Sequence, residues 1–115
     1  MKGRFSSLIW YLQRFTGILL LIGLAVHFWV LHFANKTGEY IYKDVAERLS
    51  SPSWKAFYIV FLVVVIYHAM VGVRMVAFDF RLPSPIRKLF SLGLLIVGVA
   101  LFVWGLNSLL AVKPV

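Results

Sequence analysis

Three stretches without a charged side chain constrain this chain more than any other feature: Phe15–Asn35 with 21 residues, Ala56–Val73 with 18 and Leu89–Val112 with 24. Basic residues close each one, as Arg14 and Lys36, Lys55 and Arg74, Lys88 and Lys113. A hydrocarbon core of about 30 Å takes roughly 20 apolar residues of helix, so each stretch can cross a bilayer once. Lipid offers no outside partner to backbone polar groups, which makes helix the expected form. A closed barrel would need about eight strands or more, too many for 115 residues. Composition agrees: 62% of residues are hydrophobic and 14% charged, against about 45–50% and 25% in soluble domains.

The net charge of +8 would suggest nucleic acid in a soluble protein. Here the Lys and Arg residues sit at the ends of the apolar stretches, where they meet lipid headgroups, so no nucleic-acid partner is expected. The absence of cysteine removes disulfides, thiolate metal sites and c-type haem attachment. The first apolar stretch exceeds the 7–15-residue core of a signal peptide, and no small-x-small site follows within "VHFWVLHFANK". It is therefore expected to stay as a permanent helix.

The expected fold is all-α with three transmembrane helices in a single domain, residues 1–115. A basic head, "MKGRFSS", leads into helix I at about residues 7–33, and a polar connector covers 34–53. Helix II follows at about 54–78 and helix III at about 86–110. Within the connector, Glu39 to Leu49 can form an amphipathic helix that offers Tyr40, Val45 and Leu49 to the membrane surface. Ser53 is a candidate N-cap for helix II, and the prolines of "DFRLPSP" stop one helix and set up the next. With a cytoplasmic N-terminus, seven Lys/Arg residues fall on the inner side and five on the outer, which favours that orientation in an inner or cytoplasmic membrane.

Three short helices bury little alone, so partner chains are expected. On helix III, Gly93, Gly98 and Gly105 leave notches for close helix contact or are ordinary membrane glycines. The chemistry lies on helices I and II. An ionisable side chain at bilayer depth is costly and needs a reason. His68 stands 13 residues from Lys55 and 11 from Asp79, near mid-membrane, with Gly72 one turn later on its face. That pair suits a flat macrocycle ligated by the imidazole, or a histidine hydrogen-bonded to a neighbouring helix; the pattern leaves both open. His27 repeats the arrangement, with Gly23 four residues before it. His32 is rotated by roughly 140° from His27 and reads as an interfacial histidine. Helix axes about 8–10 Å apart leave little room for a porphyrin between them. Each ligating histidine would then face a partner subunit, and the chain would be half of a haem-binding bundle. Arg14 and Arg74 either snorkel to headgroups or pair with haem propionates. Asp79 alone reads as a helix-end charge.

The segment "YHAMVGVRMVAFDF" resembles helix II of the membrane-anchor subunits of succinate dehydrogenase and fumarate reductase, with the pattern H-x-x-x-G-x-R-x-x-x-x-D. "LQRFTGILL" is similar to the arginine and small-residue–glycine signature of their first helix, and "VHFWVLHFA" to the first-helix histidine segment of two-haem members. The likeness covers roughly Ser7 to Phe80; helix III matches as a generic span. It implies a cytochrome b-type anchor of a succinate:quinone oxidoreductase, working with a second membrane anchor, an iron–sulfur subunit and a flavoprotein that carries the dicarboxylate site. His68 would be an axial ligand of haem b and His27 of a second haem where there are two. Arg14 and Arg74 would lie near propionates or quinone, with Gly72 and Gly23 making room. Asp79 and Trp10 would border a quinone, the substrate. Two positions depart from the family: Trp10 stands where one pattern has a quinone-binding serine, and Phe80 where some members have a tyrosine. Two rival readings are a haemless anchor and a small transporter with proton-relaying histidines. The second is weakened because helix III has no ionisable group between Lys88 and Lys113.

Overall fold

A computed structural model describes residues 2–33 and 42–112. Four helices account for nearly all of them: α1 (Lys2–Phe33), α2 (Tyr42–Ser50), α3 (Pro52–Phe78) and α4 (Ser84–Ala111). No strand occurs among the described residues. α1, α3 and α4 are each long and apolar enough to cross a membrane. At 1.5 Å per residue, the 28 residues of α4 reach about 42 Å, beyond the hydrocarbon thickness. The expected three-span all-α architecture is therefore present.

Several boundaries differ from expectation. α1 starts at Lys2, so the basic head is helical. Nothing in "KGRFSS" breaks the helix, and the Ser7 hydroxyl donates back to the Gly3 carbonyl at 2.8 Å. The N-cap of α3 is Ser51 (φ −74°, ψ 129°), not Ser53. Pro52 takes the first helical position, where its fixed φ suits a helix start and its missing N–H goes unneeded. The Ser51 carbonyl then accepts from the Lys55 N–H at 3.0 Å. At the other end, Arg81 adopts φ 54°, the left-handed corner that turns the chain before Pro83 caps α4. Tyr40 and the expected start of the amphipathic helix at Glu39 lie outside the described residues.

α3 is the hub, packed by α1, α2 and α4. The short helix α2 does not offer all its apolar residues to the membrane surface: Ala46 and Leu49 are buried in the bundle, and Val45 lines a cavity with α1 and α3. Glycines set the close approaches. A Cβ on Gly98 would stand 3.3 Å from Met70, and one on Gly105 would stand 2.9 Å from Leu62. Two of the three helix III notches therefore serve packing inside the chain, while Gly93 has nothing within 4 Å. α3 has no buried residue at all, so much of this bundle's apolar surface is left for lipid or partner helices.

Candidate functional site

Gln13, Thr16, Gly17 and His27 share one face of α1, at helical spacings of three, four and fourteen residues. This polar and small stripe meets α3 and builds two separate histidine environments.

The first surrounds His68. Its Nδ1 lies 3.0 Å from Thr16 Oγ1. Thr16 is buried, and its hydroxyl is also 2.7 Å from the Leu12 carbonyl and 3.1 Å from that of Gln13. A hydroxyl has one proton, and both carbonyls only accept. The shortest contact, to the Leu12 carbonyl, takes the proton, as threonine commonly back-bonds one turn, which sets Oγ1 to accept from His68 Nδ1–H. A neutral ring bonded this way carries no proton on Nε2. The ring edge approaches α1 closely, since a Cβ on Gly17 would be 3.3 Å from His68 Cε1.

Gln13 completes the corner. Its Nε2 donates to the His68 carbonyl at 3.1 Å, a reach that Gly72 permits, because a Cβ there would stand 3.1 Å from the same nitrogen. Gln13 Oε1 is buried with no hydrogen-bond partner. Gln13, His68, Gly72, Val76, Phe80 and Leu82 line one open, almost wholly apolar groove of about 620 Å³.

The second environment surrounds His27. Its Nδ1 lies 3.0 Å from the Tyr58 hydroxyl, and the Arg48 side chain on α2 donates to that same oxygen. Arginine has no acceptor, so the Tyr58 hydroxyl proton is free to go to His27 Nδ1. The ring stacks on Phe61 at 6.3 Å, and Phe61 fills the space above Gly23, 2.7 Å from where a Cβ would be. The cavity here is about 160 Å³. Thr16 and His27 are 11 residues apart on α1, so the two histidines sit at levels separated by about 16 Å.

The other expected residues are more scattered. Arg14 stacks over the Trp10 indole at 4.3 Å, and both are exposed on α1. Arg74 turns to α4, its Nε donating to Ser91 Oγ at 3.1 Å and its guanidinium lying 4.6 Å from the Phe78 ring. It borders a second groove, between α3 and α4, of about 480 Å³, and does not join His68. Asp79 is exposed at the C-cap of α3. His32 stacks on Phe28 at 3.9 Å and lies 3.0 Å from the Phe28 carbonyl. Gln13, Thr16 and Gly17 entered from the sequence only within the "LQRFTGILL" signature, without roles of their own, and Tyr58 and Arg48 were given none. The common face of the first three on helix I was the signal that could have found them.

Fold and site together define a multi-pass helical membrane protein with a histidine hydrogen-bonded across two helices beside an apolar groove. The chain belongs to the succinate dehydrogenase/fumarate reductase transmembrane subunit family, whose sequence profile matches residues 1–107. A succinate dehydrogenase hydrophobic membrane anchor subunit of Thermoplasma acidophilum is 26% identical over 90% of this chain and 85% of its own length. A protein of the same description from Archaeoglobus fulgidus is 33% identical over 68% of this chain and 66% of its own. The succinate dehydrogenase cytochrome b558 subunit of Bacillus subtilis is 33% identical over 90% of this chain, which spans 52% of that relative. The chain is thus a membrane-anchor subunit of an oxidoreductase complex and not its catalytic subunit, and it associates with the complex's other subunits.

Proposed function

We propose that this anchor carries haem b on His68 and helps pass electrons from an iron–sulfur subunit to a quinone. The observation that carries the reading is the Thr16–His68 contact at 3.0 Å, which leaves Nε2 unprotonated, the state an axial ligand needs. What supports a porphyrin there is an apolar groove of about 620 Å³ with His68 in its wall, within the usual size of cofactor sites. A name of cytochrome b558 on the Bacillus subtilis relative points the same way. When bound, the haem supplies one-electron redox chemistry.

The chain's own residues would do the rest. His68 holds the iron, and the second anchor subunit closes the groove from outside. Arg14, stacked on Trp10, is placed near the membrane edge to pair with a propionate. Gln13 Oε1, buried and without a partner, offers an acceptor to a hydroxyl of the reduced quinone. Asp79, exposed at the end of α3, would stand at the aqueous margin for the two protons that quinone reduction takes up. Succinate is oxidised elsewhere, on the flavoprotein. The N-terminus and the α3–α4 turn would face the cytoplasm across the inner or cytoplasmic membrane.

The His27 surroundings favour a structural role over a second haem. Its Nδ1 is tied to the Tyr58 hydroxyl, and Phe61 stands where Gly23 would make room. A pyridine haemochrome assay per flavin on the purified complex, with His27→Ala and His68→Ala, tests the proposal. One haem lost only with His68→Ala supports it; no haem in the unsubstituted complex leaves a plain anchor.

A further inference from the structure

We infer that Thr16 is the positioning residue of the His68 centre: it selects which imidazole nitrogen faces the iron and sets the potential of the haem bound there. The inference rests on the haem reading above and adds a residue and a property to it.

The argument starts from the proton count at Thr16 Oγ1. The hydroxyl is buried and lies 2.7 Å from Leu12 O, the shortest of its three polar contacts. With its proton spent there, the oxygen is purely an acceptor toward His68 Nδ1 at 3.0 Å. The opposite tautomer would need the Thr16 proton to leave Leu12 O, its shortest contact, for Nδ1, and would put a proton on Nε2. Thr16 thus favours the tautomer that can ligate. Gly17, the next residue, lets Cε1 come within 3.3 Å of its missing Cβ position, so the ring is held in angle as well as in protonation.

An acceptor on the far N–H of a ligating histidine raises the basicity of the ligand. A more basic axial ligand stabilises ferric over ferrous iron and lowers the potential, one of the levers by which a protein tunes haem. Thr16 sits in the interhelical contact, shielded from water, so no solvent molecule replaces it when the hydroxyl is removed.

The test uses the assembled complex from membranes, with haem b per flavin, optical redox titration and the ferric low-spin EPR signal as readouts. Thr16→Val keeps the shape and loses the acceptor: the midpoint moves to higher potential and the EPR signal shifts. Thr16→Ser keeps both at the unsubstituted values. Thr16→Cys, similar in size with a poorer acceptor, shows the same shift in smaller measure and serves where the valine variant fails to assemble. Thr16→Val or Thr16→Cys with unchanged potential and EPR signal, in a complex that loses haem b with His68→Ala, overturns this inference alone. A complex without haem b, or one that keeps it in His68→Ala, overturns the reading beneath it.

Discussion

His68 and His27 look alike in sequence and differ in structure. Each lies deep in an apolar helix, four residues from a glycine. Yet His68 meets a threonine whose shortest contact is to its own helix backbone, whereas His27 meets a tyrosine held by an arginine. The glycines diverge in what fills their space: the Gln13 amide reaches over Gly72 at the wall of the groove, and the Phe61 ring packs on Gly23. The membrane penalty for a polar side chain is met in both cases. At His68 the bond ties α3 to Thr16 of α1 beside the groove; at His27 the bonded nitrogen ties α1 to α3 and, through Arg48, to α2.

The largest effect should come from exchanging the histidines one at a time. His68→Ala is expected to abolish the haem b spectrum of the complex, and His27→Ala to leave it in place with a less stable anchor. Reduced-minus-oxidised absorption of membranes measures this directly. Equal loss of haem in both variants would erase the distinction between the two environments.

That distinction was only partly legible in the sequence. The three spans could be read from charge-free length, because the bilayer imposes one requirement on every residue of a crossing. Pairing of His68 with Gly72 followed from helical spacing within one helix. Thr16 and Tyr58 were not legible, since each meets its histidine across a helix contact whose register no local pattern encodes. Arg74 is a different case: six residues after His68 puts it about 120° round the helix, toward α4. Its depth suggested a shared site and its azimuth argued against one. The helix III glycines were recognisable as notches, but their spacing does not say which helix fills them, and α3 fills two.

A second comparison uses one substitution at both sites. Gly23→Ala places a Cβ 2.7 Å from the Phe61 ring, which is itself stacked on Phe57 at 5.9 Å and has little freedom to yield. Overpacking of this kind costs about 1–3 kcal/mol, so the melting temperature of the complex in detergent should fall while the haem spectrum holds. Phe61→Leu in the same chain should recover part of the loss. Gly17→Ala meets His68 Cε1 at 3.3 Å, where a shift of a few tenths of an ångström suffices. Its thermal cost should be smaller, and its effect should appear in the haem potential instead. The opposite pattern, with Gly23→Ala altering the haem and Gly17→Ala silent, would exchange the roles of the two regions.

The smallest expected effect separates the tautomers themselves. Tyr58→Phe keeps the ring against Trp54 and Phe57 and removes the oxygen that His27 and Arg48 share. A net hydrogen bond is worth about 0.5–1.5 kcal/mol, and one to a charged group about 1.5–3. A loss of roughly 1–2 kcal/mol is the expectation, concentrated where Arg48 holds α2 to the bundle. Hydrogen–deuterium exchange should therefore quicken over residues 42–50 and stay slow in α3, with haem content and potential unchanged. The direction of proton donation decides the outcome. If His27 instead donated Nδ1–H to Tyr58 and offered Nε2 to a metal, removing the hydroxyl would act as Thr16→Val acts at His68, raising a haem potential. A shifted potential with unchanged exchange in α2 would then mean that both histidines are held for the same purpose. An unshifted potential with a loosened α2 leaves one histidine for iron and the other for the fold.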